Sequence, residues 1–210
     1  MSDTQHRPKR PYAPRMAPEQ RREQLLDAVL RVIVTEGVHK VSMDSVAKEA
    51  GVTRPVVYGH FTDSNALLRA SLEREQAGAL EQLLAVLPSS RDIPPGEAAV
   101  QSLAKFLAAV QAAPDRWRAI FSLADSSTPA FRARVEAGRQ LVIAAFEELV
   151  HWGVREGLDP GTDVEMLARG LFAVFWDAGR LVLAEPDAFP AERIVAFAQH
   201  TVGLYLRPNG

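Results

Sequence analysis

The chain has 210 residues, of which 47% are hydrophobic, and a formal net charge of −2. This apolar content is enough to bury a core, which excludes a chain that is disordered throughout. The absence of cysteine excludes a disulfide framework, a thiolate zinc site and a cysteine nucleophile, and it fits a reducing compartment. Nothing approaches the roughly 18 to 20 uninterrupted apolar residues of a membrane span, and the proline-broken start is unlike a secretory signal. We therefore expect a cytoplasmic protein with no membrane partner.

Basic residues are concentrated at the N-terminus. Residues 1–22 contain six Lys/Arg against two Asp/Glu, a net charge of +4, whereas residues 76–210 contain 12 against 16, a net charge of −4. A basic arm over residues 1–17 on an otherwise acidic protein indicates contact with a polyanion. A solubilising tail would explain the same charge equally well.

Three helices are predicted in the first third of the chain. The first begins near Pro18, which suits an opening helical turn, and ends at Gly37. The second follows Ser42 as its N-cap and ends at Gly51, a left-handed terminator. Thr53 can cap a third helix, which is very short and has a proline in its first turn.

The rest of the chain is also predicted to be helical. Asp63 opens a long fourth helix, residues 88–96 form a linker-like break, and further helical segments follow to the C-terminus. The sequence shows no convincing alternating strand and no repeat of fixed period. The predicted fold class is therefore all-α.

Predicted helices two and three form a helix-turn-helix pattern that packs on the first helix. The turn through Gly51 requires a small side chain where the helices approach, and Ala47 supplies it. Val57 and Phe61 lie four residues apart and face inward, so the other side of helix three faces outward. Small helical pairs occur in many folds, and the outward side chains therefore decide whether this pair recognises DNA.

The outward side chains of helix three suit a DNA surface. Arg54 can hydrogen-bond O6 and N7 of guanine in the major groove, and Pro55 or Val56 can contact a thymine methyl group. Tyr58 and His60 can donate to phosphate oxygens. Singly, Tyr58 could be a half-buried aromatic and His60 a surface histidine. Together, these residues favour DNA recognition.

These motifs belong to the stretch LLDAVLRVIVTEGVHKVSMDSVAKEAGVTRPVVYGHFTDSNALLRASL. The stretch resembles the DNA-binding domain of the tetracycline-repressor (TetR) family of bacterial transcription regulators. The resemblance covers about residues 20–72, and the core from Ala50 to Phe61 is its most specific part. It implies a helix-turn-helix DNA-binding domain over residues 18–75, followed by a helical-bundle domain for effector binding and dimerisation over residues 76–210.

The resemblance also implies which residues contact DNA. Residues 54–56 take the base- or groove-facing positions, three neighbours take backbone-contact positions, and one residue caps a helix aimed at phosphate. The implied DNA-binding residues are Ser42, Thr53, Arg54, Pro55, Val56, Tyr58 and His60.

One position departs from the family pattern. The family commonly has a lysine at the start of helix four that reaches a phosphate, whereas this chain has Ser64 followed by Asn65. That contact is weakened or replaced. Our hypothesis is that the arm over residues 1–17 compensates by entering an adjacent minor groove. Deleting the arm should then lower DNA affinity and flatten its salt dependence, and unchanged binding would refute the hypothesis.

For the second domain, the resemblance implies dimerisation through the last two helices and a pocket whose occupancy changes the spacing of the two DNA-reading helices. A homodimer also agrees with the physics, because one short helix contacts few bases and two half-sites about 34 Å apart multiply specificity. Both terminal helices carry wide apolar stripes. Such stripes are more often plain core than interface, but an adjacent pair permits an intermolecular four-helix bundle.

Aromatic residues cluster in the middle of the second domain, and a mostly apolar cavity between helices is the usual small-molecule site. For any single aromatic, burial in the core is the commoner explanation. The candidate pocket residues, with two polar groups among them, are Phe106, Trp117, Phe121, Arg139, Phe146, Phe172, Trp176 and Asp177. No metal site and no cofactor is predicted.

Two other functional classes compete with a DNA-binding regulator. A helical enzyme is disfavoured, because the five histidines are scattered without metal spacing and none of the common catalytic motifs is present. Adjacent Glu147 and Glu148 diverge by about 100° on a helix, which indicates a solvated face rather than an acid/base pair. A helical protein-binding adaptor is opposed only by the arm and by helix three.

The sequence therefore predicts a homodimeric, ligand-responsive transcriptional repressor that is not an enzyme. A small apolar or aromatic effector would release it from a palindromic double-stranded operator by favouring the DNA-incompetent state. The sequence leaves open activation in place of repression, two dimers per operator, and an effector that tightens binding.

Overall fold

The computed structural model describes residues 16–88, 90–124 and 129–205. Within these ranges the chain forms α-helices and a short 3-10 turn at Val38–Lys40, with no strand, which confirms the all-α prediction. The α-helices are α1 (Pro18–Glu36), α2 (Met43–Glu49), α3 (Arg54–Tyr58), α4 (Ser64–Val86), α5 (Pro95–Ala112), α6 (Pro114–Ala124), α7 (Pro129–Arg155), α8 (Val164–Ala184) and α9 (Ala191–Tyr205). The predicted arm lies outside the described residues up to position 15.

Local signals set the helix ends in the first part of the chain. The Ser42 hydroxyl accepts the backbone N–H of Ser45 at 3.0 Å, and the Asp63 carboxylate accepts that of Ala66 at 2.8 Å. Each bond satisfies a donor that the first turn of a helix leaves without a partner. Gly37 and Gly51 have φ angles of 94° and 66°, a region that favours glycine, so α1 and α2 end where the chain reaches them.

The first four helices surround a core of their own. Leu25, Leu26 and Val29 project from α1 and are buried against Val57 of α3 and Leu67 of α4. Burial of such side chains stabilises the fold by about 1.5 to 3 kcal/mol each. This core, which we call the first core, fixes which side of α3 faces the solvent.

Helices α4 to α8 surround a second core, and α9 packs on its edge. This second core is rich in aromatic rings in contact with each other. Phe106 meets Trp117 edge-on with centroids 5.1 Å apart, and Phe146 meets Phe175 in the same manner at 4.9 Å. Edge-to-face contacts of this kind add about 0.5 to 1.5 kcal/mol to the burial of the rings.

Two helices contribute to both cores. In α4, Leu72 belongs to the first core and Ala79 to the second, so the domain boundary predicted at residue 75 falls inside a continuous helix. In α6, Ala119 is buried in the first core, whereas Trp117 and Ile120 belong to the second. A displacement of α6 therefore affects the packing of both parts of the chain.

Candidate nucleic-acid interface and ligand pocket

Helices α2 and α3 form a helix-turn-helix unit that is fastened to α1. The backbone N–H of Val52 donates to the Ala47 carbonyl at 2.9 Å, which closes the turn. The Gln24 side chain of α1 donates to the Ala50 carbonyl, also at 2.9 Å. With Val57 fully buried beneath it, α3 has a fixed orientation on this support.

The predicted DNA-contacting residues lie together at the start of α2 and along α3. Thr53, Arg54, Pro55 and Tyr58 are exposed, and the remaining three are half-buried. Ser42 uses its hydroxyl in a reciprocal pair with Ser45, because the Ser45 hydroxyl accepts the Ser42 backbone N–H at 2.9 Å. The outward face of α3 therefore has the composition that the sequence predicts.

Arg54 is held by two neighbours on the outward face. Its Nη1 lies 3.3 Å from Oδ2 of Asp44, and its Nη2 donates to the Tyr58 hydroxyl at 3.1 Å. Its Cζ also lies 5.4 Å from the centroid of the Tyr58 ring. The hydrogen bond to Tyr58 and the negative charge of Asp44 raise the pKa of Arg54 above its ordinary value. The sequence argument missed Asp44, although an acidic residue ten positions before the arginine in the preceding helix could have suggested the pair.

The start of α4 is occupied by a carboxylate of the chain itself. The backbone N–H groups of Ala66 and Asn65 hold the pKa of Asp63 below its ordinary value, with the bond to Ala66 as the larger cause. Asp63 therefore places a negative charge of the chain itself at the positive end of the helix dipole. This arrangement agrees with Ser64 standing where the family commonly has a lysine.

A cavity of about 60 Å³ lies between α4, α6, α7 and α8. Its walls are mostly apolar, and its lining residues are Gln76, Ala79, Leu80, Leu83, Trp117, Ile120, Val135, Gly138, Arg139, Val142, Phe172 and Trp176. Four of the eight candidate pocket residues, Trp117, Arg139, Phe172 and Trp176, are among them.

The other candidate pocket residues lie elsewhere. Phe106 and Phe146 are fully buried among other rings of the second core, and Phe121 meets Trp176 edge-on at 4.8 Å without lining the cavity. Asp177 is exposed and is not part of the lining. It follows Trp176 directly on α8, so its side chain points about 100° away from the cavity wall.

Polar groups at the cavity are few. The Arg139 guanidinium lies 5.0 Å from the centroid of the Phe172 ring, and its Nη1 is 3.8 Å from Oε2 of Glu136. The indole N–H of Trp117 donates to the Gln82 side chain at 3.0 Å, which fixes the orientation of that ring. Arg139 is thus placed at the edge of an aromatic wall.

A buried carboxylate links α4 to α6. Glu75 of α4 is only 2% exposed, and its two oxygens lie 2.7 Å from Nη2 of Arg74 and 2.9 Å from Nε of Arg116 on α6. Arg74 also contacts Glu23 and Asp27 of α1 at 2.9 and 2.8 Å. Burial lowers the pKa of Arg74, but its hydrogen bonds to Glu23 and Glu75 outweigh this and raise it. This ion-pair network joins α1, α4 and α6.

Comparison with known proteins identifies the first domain. Residues 25–71 match the model for bacterial regulatory proteins of the tetR family. The transcriptional activator FasR of Mycolicibacterium smegmatis is 29% identical over 170 residues, which span 79% of this chain and 74% of that protein. Residues 25–71 therefore form a DNA-binding domain of the TetR family of transcriptional regulators.

Several other relatives match only the DNA-binding part of the regulator. The regulator SrpR of Pseudomonas putida is 41% identical over 58 residues, which are 28% of this chain and 27% of that protein. The family assignment agrees with the helix-turn-helix geometry. It establishes a DNA-binding transcriptional regulator.

Solved structures share the fold of the regulator along most of its length. A TetR-like regulator from Rhodococcus sp. RHA1 superposes with a TM-score of 0.72 at 22% identity and covers 90% of this chain and 99% of that one. FadR of Bacillus subtilis, solved with stearoyl-CoA, has a TM-score of 0.67 at 16% identity and covers 88% and 97%. A regulator from Saccharomonospora viridis, solved with choline, has a TM-score of 0.70 at 18% identity and covers 88% and 96%.

Among the described residues, no helix is long and apolar enough to cross a membrane. Within the same ranges, no group of three or more His, Asp or Glu side chains is placed to hold a metal ion.

Proposed function

We propose that the regulator is a homodimeric repressor, released from a palindromic operator by a small apolar or aromatic effector that binds between α4, α6, α7 and α8. The observation that carries the DNA part is α3, which exposes Arg54, Pro55 and Tyr58 on one face while Val57 is fully buried on the other. An arginine, a proline and a tyrosine together are an unusual composition for a helix face that contacts only solvent.

The proposed contacts divide between bases and backbone. Arg54 binds a guanine, and Pro55 or Val56 contacts a thymine methyl group. Thr53, Tyr58 and His60 bind phosphate oxygens, and the α2 start capped by Ser42 points at a phosphate. Base contacts provide specificity, and backbone contacts set the register of the helix on the duplex.

The proposed dimer uses the outer face of α8 and α9. Large apolar side chains are exposed there: Phe197 is 71% exposed, Met166 63% and Val174 53%. At Gly170 a side chain would meet no atom of this chain, so a partner helix can approach closely. An exposed apolar patch of this kind is typical of an interaction surface.

Activation is the second candidate for the regulatory outcome. The name of FasR, a relative that is covered over 74% of its length, is that of an activator. Both outcomes use the same DNA contacts, and the position of the operator relative to the promoter separates them. We further propose that the regulator acts in the cytoplasm on chromosomal DNA and has no enzymatic activity, in keeping with relatives that are transcriptional regulators.

DNA binding is tested by fluorescence anisotropy with DNA from the promoter region of the regulator and with an unrelated duplex, across a salt series. Arg54→Ala should weaken operator binding roughly tenfold or more and leave binding to the unrelated duplex nearly unchanged, because it removes a base contact. Arg118→Ala is the matched control, since Arg118 lies on α6, away from the proposed dimer face, and pairs with Asp115 at 3.3 Å. An equal loss on both duplexes, or no binding to either at low salt, would refute the proposal.

A further inference from the structure

The lining of the cavity between α4, α6, α7 and α8 contains a positive charge and no negative one. Among its lining residues Arg139 is the one with a formal charge, and no carboxylate is included. The guanidinium sits over the Phe172 ring, so it is held at the aromatic wall. An arginine on an aromatic face keeps the N–H donors in its own guanidinium plane available for an acceptor.

The positive charge of this lining indicates whether the ligand is an anion or a cation, since proteins of this fold bind both kinds. Structures of this fold have been solved with stearoyl-CoA, which carries negative charges, and with choline, which is a cation. Fold alone therefore does not determine the charge of the ligand. In this chain a cation would enter a cavity whose formal charge is positive, whereas a carboxylate would find a planar bidentate donor.

The contact between Arg139 and Glu136 does not oppose this reading. The two groups are 3.8 Å apart, three residues apart on one helix, and their side chains are 43% and 53% exposed. Exposed pairs of this kind contribute little. A ligand carboxylate can replace Glu136 at Arg139 and form shorter, bidentate hydrogen bonds.

We propose that the effector is an organic anion with an apolar or aromatic body. The body lies against Trp117, Phe172 and Trp176, and its acidic group binds Arg139. This inference rests on the proposed function, because it takes the cavity as the effector site. The 60 Å³ of the cavity is below the roughly 300 Å³ or more of a typical ligand site, so the ligand must widen it by moving the surrounding helices.

The test compares three probes of equal chain length that differ in their head group: octanoate, octan-1-ol and octyltrimethylammonium. Binding is followed by tryptophan fluorescence at concentrations below aggregation, since two of the three tryptophans line the cavity. The variants are Arg139→Gln, which removes the charge, Arg139→Lys, which keeps it, and Arg118→Gln as the control, since Arg118 forms a similar exposed pair with Asp115 and does not line the cavity. Thermal melts establish that each variant is folded.

We expect octanoate to bind about tenfold more tightly than octan-1-ol, and octyltrimethylammonium to bind most weakly. The preference for octanoate should be lost in Arg139→Gln, partly kept in Arg139→Lys, which retains the charge without the bidentate geometry, and fully kept in Arg118→Gln. Equal binding of octanoate and octan-1-ol, or an unchanged preference in Arg139→Gln, would overturn the inference.

Operator anisotropy in the same samples separates this inference from the proposed function. If operator binding is intact and octan-1-ol or the cation releases it as well as octanoate does, the repressor proposal stands and the anion inference fails. If octanoate binds through Arg139 but leaves operator affinity unchanged, the assigned ligand chemistry is right and the release mechanism is wrong.

Discussion

Arg54 is held in place by groups of its own chain before any DNA arrives. Tyr58 comes from the next turn of α3, and Asp44 comes from α2, so the two anchor the guanidinium from different helices. An arginine with a fixed orientation loses less conformational freedom when it binds a base. The Asp44 carboxylate also repels phosphates, which would disfavour binding at positions where Arg54 finds no guanine.

Replacement of this carboxylate tests its effect on specificity. Asp44→Asn should raise affinity for unrelated DNA about two- to fivefold and lower the ratio of operator to unrelated binding, because a negative charge near the phosphates is lost. Anisotropy titrations on both duplexes at two salt concentrations measure this ratio. Asp115→Asn is the control, since it removes the same charge from an exposed pair with Arg118 on α6. An unchanged ratio would show that Asp44 has no part in specificity.

At the scale of elements, α4 is the helix whose character is least evident from sequence. The segment LEREQ indicates a solvated, charged helix face, yet Glu75 within it is buried. The arginine that makes this burial possible, Arg116, is 41 residues away on α6. A buried carboxylate with two arginine partners costs desolvation energy, so it fixes how α4 and α6 fit together rather than adding much stability.

Removal of the buried charge should therefore destabilise the chain. Glu75→Gln leaves Arg74 and Arg116 without their shared partner, and we expect a loss of up to about 3 kcal/mol in the free energy of unfolding. Urea denaturation measures the loss, and Glu81→Gln, on the exposed side of α4, provides the matched control. The double variant Glu75→Gln/Arg116→Gln should lose less than the sum of its two single variants. Additive losses would contradict a direct interaction.

Features with a local cause could be predicted from the sequence, whereas features that depend on contacts between distant residues could not. Helix ends at Ser42, Gly51 and Asp63 were predictable, because capping groups and left-handed glycines act on their immediate neighbours. The inward side of α3 was predictable from the spacing of Val57 and Phe61. The Asp44 pair, the burial of Glu75 and the selection of four pocket residues out of eight depend on contacts between elements, which no local pattern encodes.

At the scale of the whole molecule, several of the large apolar side chains that the described residues expose lie on α8 and α9. The sequence stripes of these helices divide in the structure: Phe175 and Ala178 are buried in the second core, whereas Val174 and Phe197 face outward. Two copies of this face would form the four-helix bundle that we propose for the dimer.

A charge at the centre of the face should separate the two copies. Phe197→Asp is expected to convert the dimer to a monomer at micromolar concentration, because it would bury an unpaired carboxylate in the interface. Sedimentation velocity measures the mass. Leu84→Asp is the matched control, since Leu84 is an exposed leucine of α4 outside this face. A wild-type chain that sediments as a monomer, or a Phe197→Asp variant that remains a dimer, would refute the proposed interface.

Three residues of helix α6 join the effector cavity to the first core. Trp117 and Ile120 line the cavity, and Ala119 between them is buried among residues of α1 to α4. An effector that displaces this helix therefore disturbs the support of the DNA-reading helices. Linkage requires the reverse as well: the operator must weaken effector binding by the same factor as the effector weakens operator binding. A DNA-bound molecule would thus have a lower affinity for the effector than a free one. The effector concentration needed for release in a cell would rise with the fraction of the regulator that is bound to DNA.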